Sequence, residues 1–441
     1  MTQLERIPSL PEVYRTIKVP DRGGFWRKML AYAGPGYLVS VGYMDPGNWA
    51  TDLAGGAQFG YMLLSVILFS NLMAILLQAL CVKLGVATGR DLAQACRDYF
   101  SPRVSFGLWI LCEIAIAACD LAELVGSAIA LQLLFGIPLA IGVCITALDV
   151  LVILFLQSKG FRYVEALVIT IIAVIGSCFI VELIVARPEL GGVFQGFIPQ
   201  SEVVRNPKAL FIAIGILGAT VMPHNLYLHS SIIQTRDWQE TPEKKREAIK
   251  FGTIDSTVAL SIALFINAAI LILSAATFHF SGYQDVAEIQ TAYKLLSPAL
   301  GFAPASILFA IALLASGQNA TLTGTLAGQI VMEGFLQIRL KPWMRRLLTR
   351  LVAIVPALLT IVFLGEGSTT NLLILSQVIL SLQLSFAVIP LVMFTSDRRL
   401  MGEFVNPRWL KILAYAVAIV IAGLNVWLLL QTFLGWLHPG S

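Results

Sequence analysis

Eleven stretches of this chain are apolar for long enough to cross a lipid bilayer, and nothing else in the sequence restricts its fold so tightly. A spanning helix needs about 20 apolar residues. Read between charged or Pro/Gly breaks, such runs fall near 30–56, 60–84, 104–134, 138–157, 163–186, 208–234, 253–280, 302–336, 347–365, 371–395 and 409–434. The two longest exceed one crossing, so they must tilt or extend into water. Of the 441 residues 57% are hydrophobic and 13% are charged, a surplus that a soluble domain could not cover with polar surface. A conventional soluble enzyme, a nucleic-acid binder and a disordered scaffold are thereby excluded, and the lipid bilayer is the expected surrounding. The six cysteines lie mostly inside apolar runs with no CxxC spacing. They read as small buried hydrophobes rather than disulfide or zinc ligands.

Basic residues orient the spans. The N-terminal tail, residues 1–29, carries six Lys/Arg and no apolar core of a cleavable signal. Together with the connections after even-numbered spans, counted with the adjoining helix turns, it holds 26 of the 30 Lys+Arg. The opposite face keeps Arg187, Arg205, Lys208 and Lys294. This places the N-terminus in the cytoplasm and the C-terminus outside, in a multi-pass plasma-membrane protein, with short tails that favour a bacterial source. The longest polar connections, 189–207 and 235–252, are too short to fold alone. Residues 30–441 are therefore expected to form one all-α transmembrane domain, with no obligatory protein partner.

Two spans are interrupted. Span 1 contains Tyr43-Met44-Asp45-Pro46-Gly47-Asn48-Trp49, and span 6 contains Ala219-Thr220-Val221-Met222-Pro223-His224-Asn225. Proline removes a backbone donor and clashes with the preceding turn. Non-helical backbone at membrane depth is tolerated where protein or a water-filled cavity satisfies it. Breaks five spans apart in a ten-helix core are what a five-plus-five inverted repeat predicts, with the substrate at the midplane between them. The repeats would be roughly 30–186 and 208–395, with an extra helix at 409–434. Asp45 offers a hard anionic oxygen, Asn48 a neutral one, Met222 a soft thioether, and the unwound backbone carbonyls, from Gly42 and Ala219. Oxygen ligands alone suit magnesium or calcium, whereas a thioether favours softer transition metals.

These residues resemble the NRAMP family of proton-coupled divalent metal-ion transporters. Asp45-Pro46-Gly47-Asn48 and Met222-Pro223-His224 carry the likeness, and the stretch Gly317–Gln329 is similar to the family's transport signature, with Ala320 and Leu326 where Ser and Tyr are common. The resemblance implies a LeuT-like fold and manganese or iron(II) as substrate, with no cofactor. It also implies Asp45, Asn48, Met222 and the Ala219 carbonyl as metal ligands, joined in some states by Gln377.

Span 3 adds Glu113, Asp120 and Glu123. Asp120 and Glu123 are three residues apart, hence on one helical face, and Glu113 lies on the same stripe. Carboxylates in an apolar span suit either proton exchange or a static polar network. The resemblance implies a proton route from Asp45 through His224 and Glu123 to Asp120, with Arg350 near its cytoplasmic exit. His224 and His229 are five residues apart and no HExxH occurs, which argues against a membrane zinc enzyme. Asn71, Asn267 and Asn425 suit a vestibule or interhelical hydrogen bonds equally. The main rival reading is a sodium- or proton-coupled carrier of an organic solute such as an amino acid. An Asp facing a Met speaks against it.

Overall fold

The computed structural model describes residues 8–146, 160–284, 286, 288–338 and 341–437. Its main helices are α1 (Pro35–Gly42), α2 (Pro46–Phe59), α3 (Leu64–Thr88), α4 (Leu92–Tyr99), α5 (Pro102–Phe135), α6 (Leu139–Thr146), α7 (Phe161–Ala186), α8 (Pro207–Thr220), α9 (Pro223–Ile232), α10 (Pro242–Ser274), α11 (Ile289–Leu300), α12 (Ala305–Leu336), α13 (Pro342–Leu364), α14 (Thr369–Ser396) and α15 (Arg408–Leu437). Among the described residues, eight helical stretches are long and apolar enough to cross a membrane, with α8 and α9 together forming one of them. The other three expected spans have separate explanations. The first is split into α1 and α2, each too short alone. The fourth lies partly outside the described residues, and the ninth is α13, whose apolar part runs Arg350–Phe363. The outer helices keep lipid-facing surfaces, as in α7 and α15, whereas α5 and the broken helices are mostly enclosed.

One expected boundary moves. The connection 235–252 reads as a charged loop, yet α10 starts at Pro242, eleven residues before the apolar run at 253. Thr241 caps it, accepting from the Lys244 amide at 3.4 Å, and Pro242 occupies the first helical position. Charge does not break a helix, so Glu243–Lys250 continues it into water.

The same connection hides a buried arginine. Arg236 is fully enclosed. It donates to Glu165 Oε1 of α7 at 2.5 Å, to the Ala33 carbonyl at 2.6 Å and to the Ala31 carbonyl at 3.3 Å. Asp255 of α10 meanwhile accepts from the Gly36 amide at 2.7 Å and the Gly34 amide at 3.2 Å, satisfying the start of α1. Gly36 is needed there, because a Cβ would lie 2.6 Å from the Ser256 backbone. The first broken helix is thus moored at its base to α7, α9 and α10. Arg236→Ala leaves the buried Glu165 with only the exposed Arg162, at 3.1 Å, as an ion-pair partner, and should cost about 3 kcal/mol. The check is the thermal midpoint of the detergent-purified protein against Arg236→Lys, which should fall less.

Candidate functional site

Both breaks are built alike. α1 ends at Gly42, Tyr43-Met44-Asp45 is non-helical, and α2 restarts with Pro46 in the first position. Asp45 caps α2, its Oδ1 accepting from the Asn48 amide at 2.8 Å. Likewise α8 ends at Thr220, Val221 leaves helical geometry, Met222 is extended, and α9 restarts with Pro223. Proline at a helix start forfeits no internal hydrogen bond, so each break is stable where it falls.

Gly42 lets the two breaks touch. A Cβ on it would lie 2.2 Å from Asn225 Nδ2 and 3.1 Å from Met222 Sδ. At the contact, three oxygens surround Asn48 Nδ2: Asp45 Oδ1 at 2.7 Å, the Ala219 carbonyl at 3.2 Å and the Gly42 carbonyl at 3.3 Å. An amide donor held by three acceptors marks a point where positive charge is favoured. Turning the carboxamide over would present Asn48 Oδ1 to the same point. The second Asp45 oxygen is buried without a hydrogen-bond partner. Gln377 of α14 lies against the backbone of Gly47, where a Cβ would fall 1.7 Å from its Nε2, and its Oε1 is likewise buried without a partner. Asp45, Asn48, Ala219, Met222 and Gln377 are all buried. Among the described residues no three His, Cys, Asp or Glu side chains are grouped to hold a metal ion. The donors here are one carboxylate, backbone carbonyls, amides and a thioether, a set suited to binding an ion and letting it go rather than keeping it.

A second polar group lies beside the first. Asp120 and Glu123 of α5 are fully buried and both face Gly324 of α12, whose Cβ would lie 3.0 Å from Glu123 Oε1 and 3.3 Å from Asp120 Oδ1. Arg350 of α13 is 1% exposed, which rules out a lipid-surface anchor. Its Nη2 is 3.7 Å from Glu123 Oε2 and donates to Thr321 Oγ1 at 2.7 Å. His224 sits next to Pro223 at the start of α9, with its Nε2 3.8 Å from Cys119 Sγ, which in turn is 3.6 Å from Glu123 Oε1. The structure therefore brings His224, Glu123, Asp120 and Arg350 together. Glu113 stands apart: it is half-buried, accepts from Trp109 Nε1 at 3.1 Å, and lies about 10 Å along the helix from Asp120.

The Nramp family model, described as natural resistance-associated macrophage protein-like, matches residues 36–431. The chain belongs to the Nramp family. It is 76% identical over 437 residues to the divalent metal cation transporter MntH of a Nostoc species, covering 99% of each chain. It is 63% identical to the MntH of Listeria monocytogenes, covering 97% of this chain and 96% of that one. The crystal structure of the Eremococcus coleocola manganese transporter superposes with a TM-score of 0.91 at 42% identity, covering 99% of this chain and 93% of that one. The nucleobase-cation symporter Mhp1, at 16% identity and a TM-score of 0.57, shares the fold alone. The Nramp chain thus has the LeuT-like architecture that the family resemblance implies.

Several further Nramp residues meet at the breaks: Asn225, Gln78 and Cys119 carry no functional signal in the sequence, whereas Asn267 and His229 are legible there as polar residues inside spans. Asn225, one turn after Met222, packs on Gly42 and donates to the Val39 carbonyl at 3.4 Å. Asn267 of α10 donates to the Tyr43 carbonyl at 2.7 Å and to Asn48 Oδ1 at 3.4 Å, so it holds both the first break and a site side chain. His229 pairs with Gln78 Oε1 at 2.9 Å, and Gln78 Nε2 donates to the Tyr43 hydroxyl at 2.8 Å, linking the two breaks through α3. Cys119, read as an inert hydrophobe, stands between His224 and Glu123. The signal that could have found Asn225 is its place within a turn of the Pro223 break, whereas Gln78 and Cys119 lie on other helices with no break beside them in sequence. Asn425 differs, tying α15 to Ser381 and Ser385 of α14.

Proposed function

We propose that this protein is a proton-coupled secondary transporter that imports divalent transition metal ions, manganese and iron(II), across a bacterial plasma membrane by alternating access. The observation that carries this reading is the meeting of Asp45 Oδ1 and the Gly42 and Ala219 carbonyls on one point, with Met222 sulfur facing Gly42. Asp45, Asn48, the Ala219 and Gly42 carbonyls and Met222 bind the metal, and Gln377 joins as the helices move. The names of the relatives, divalent metal cation transporter and manganese transporter, agree with this chemistry.

Metal and proton compete for the Asp45 carboxylate, so loading the metal releases a proton. That proton leaves through His224, Glu123 and Asp120, with Arg350 of α13 holding Glu123, on a route separate from the metal's. Inward opening requires α1 and α9 to swing away from the moorings at Arg236 and Asp255. The concentration of basic residues on one face supports a cytoplasmic N-terminus and an external C-terminus.

The test is uptake by proteoliposomes containing the purified protein, with an entrapped metal indicator and an entrapped pH indicator read together. Manganese is expected to enter saturably and with protons, and magnesium and calcium are expected to be excluded. Entry of an amino acid in place of manganese would leave the fold intact and overturn the function.

A further inference from the structure

The family's signature stretch in α12 has no part in the scheme above beyond Thr321 and the close approach at Gly324. The inner half of α12, which runs past the end of that stretch, nevertheless carries four buried polar side chains at four-residue spacing: Thr321, Thr325, Gln329 and Glu333, exposed by 1%, 7%, 5% and 7%. Positions four apart form one ridge on a helix, slightly inclined to its axis. This ridge extends about 18 Å at 1.5 Å per residue. A polar ridge of that length inside a spanning helix is costly unless it is hydrated or bonded.

Both ends of the ridge are tied to charge. At the upper end Thr321 Oγ1 accepts from Arg350, which also faces Glu123. At the lower end Gln329 Nε2 donates to Glu333 Oε1 at 2.9 Å, three residues before α12 ends at Leu336. Between them the Thr325 hydroxyl donates to the Thr321 carbonyl at 2.7 Å, leaving its oxygen free to accept from a water molecule. Among the described residues, α4 and its cap bring charged groups to this lower end. Arg97 donates to the Gly334 carbonyl at 2.7 Å, and Asp91 Oδ1 would lie 3.2 Å from a Cβ on Gly334. Burial pushes the Asp91 carboxyl up to about 6, with hydrogen bonds from Ser9 and the α4 backbone pulling it back. Asp120 and Glu123 face the ridge from α5, and Arg350 faces it from α13.

We propose that the Thr321–Thr325–Gln329–Glu333 ridge extends the proton route from the Glu123–Asp120–Arg350 group to the membrane face where α12 ends, with Glu333 as the group that exchanges protons with water there. The proposal rests on the proton-coupled reading and adds to it the far end of the path. Successive rungs rise about 6 Å, a gap that one hydrogen-bonded water bridges. Gln329 acts as a positioning residue, holding the Glu333 carboxylate in line with the ridge. Only O–H bonds are exchanged: Glu333 takes a proton from the adjacent water as that water receives one from the Glu123–Asp120 side, and Glu333 then gives its proton to water at the aqueous face. The competing exit is Glu113 on α5, also beyond Asp120 on the same side but on another helix.

The experiment measures protons and manganese entering the same proteoliposomes, for the wild type and for Glu333→Gln, Glu333→Asp, Thr325→Val and Glu113→Gln. The readout is the proton-to-manganese ratio, which a merely structural role would not move. The ratio is expected to fall about tenfold or more in Glu333→Gln, a smaller effect than the roughly hundredfold or more that a general acid or base in direct contact with a reacting group contributes. Thr325→Val should also lower it, and Glu333→Asp should restore most of it. A normal ratio in Glu333→Gln and Thr325→Val with a wild type that moves protons overturns the ridge, and a fall confined to Glu113→Gln assigns the exit to α5. A wild type that imports manganese without protons overturns the coupling itself, and the ridge with it.

Discussion

Replacing Asp45 with asparagine should abolish manganese uptake while leaving the protein folded. The carboxylate supplies the formal negative charge among the donors at the contact between the two breaks, and it is fully buried. Taking one partner from a buried charge pair costs about 3–5 kcal/mol. At 1.4 kcal/mol per decade that is roughly two to three and a half decades of affinity. The structural duty of Asp45 survives the change, because asparagine caps a helix as well as aspartate does and can still accept from the Asn48 amide. Uptake and thermal midpoint should therefore separate, the first lost and the second little altered. Uptake within about threefold of wild type, less than 1 kcal/mol by the same conversion, would remove Asp45 from the ligand set.

The second large effect is on selectivity. Met222 contributes a polarisable sulfur where magnesium and calcium would choose oxygen. Met222→Leu keeps much of the packing volume and removes the sulfur, avoiding the cavity that Met222→Ala would open in a fully buried position. Manganese affinity is expected to fall about tenfold, or ~1.4 kcal/mol, while magnesium and calcium begin to inhibit uptake and to be carried. The check is competition: unlabelled magnesium or calcium against radioactive manganese, in wild type, Met222→Leu and Met222→Ala. Unchanged exclusion of magnesium in both variants would show that selectivity lies elsewhere, in the hydration of the ion or at Gln377.

What the chain discloses about itself differs from element to element. Eleven apolar runs and two mid-span prolines are strong local signals, since hydrocarbon demands long apolar helices and proline cannot sit inside one without cost. They lead to a five-plus-five inverted repeat, and the family resemblance makes that arrangement LeuT-like. The start of α10 was hidden because six of its first eleven residues are charged, and charge marks solvent rather than the end of a helix. Arg236 looks like one more basic loop residue until Glu165, 71 positions earlier, and the Ala31 and Ala33 carbonyls close around it. Long-range pairing of that kind has no signature in either segment alone. The candidate ligands Asp45, Asn48 and Met222 stood out because each lies within a residue or two of a break. Asn225 and Cys119 did not, because asparagine and cysteine are common packing residues in spanning helices. Glu113 shows the limit of helical periodicity: the same stripe carries it and Asp120, but two turns separate them and Trp109 takes the nearer bond.

The account stands on the claim that one metal ion binds where the two broken helices meet. Anomalous scattering from crystals of the protein grown with manganese, recorded on both sides of the metal's absorption edge, locates that ion without reference to any assay. A peak in contact with the Asp45 carboxylate, the Ala219 carbonyl and the Met222 sulfur is the expected result, with the Asn48 carboxamide turned to present its oxygen. A protein that imports manganese but places the peak away from both Asp45 and Met222 would contradict the account.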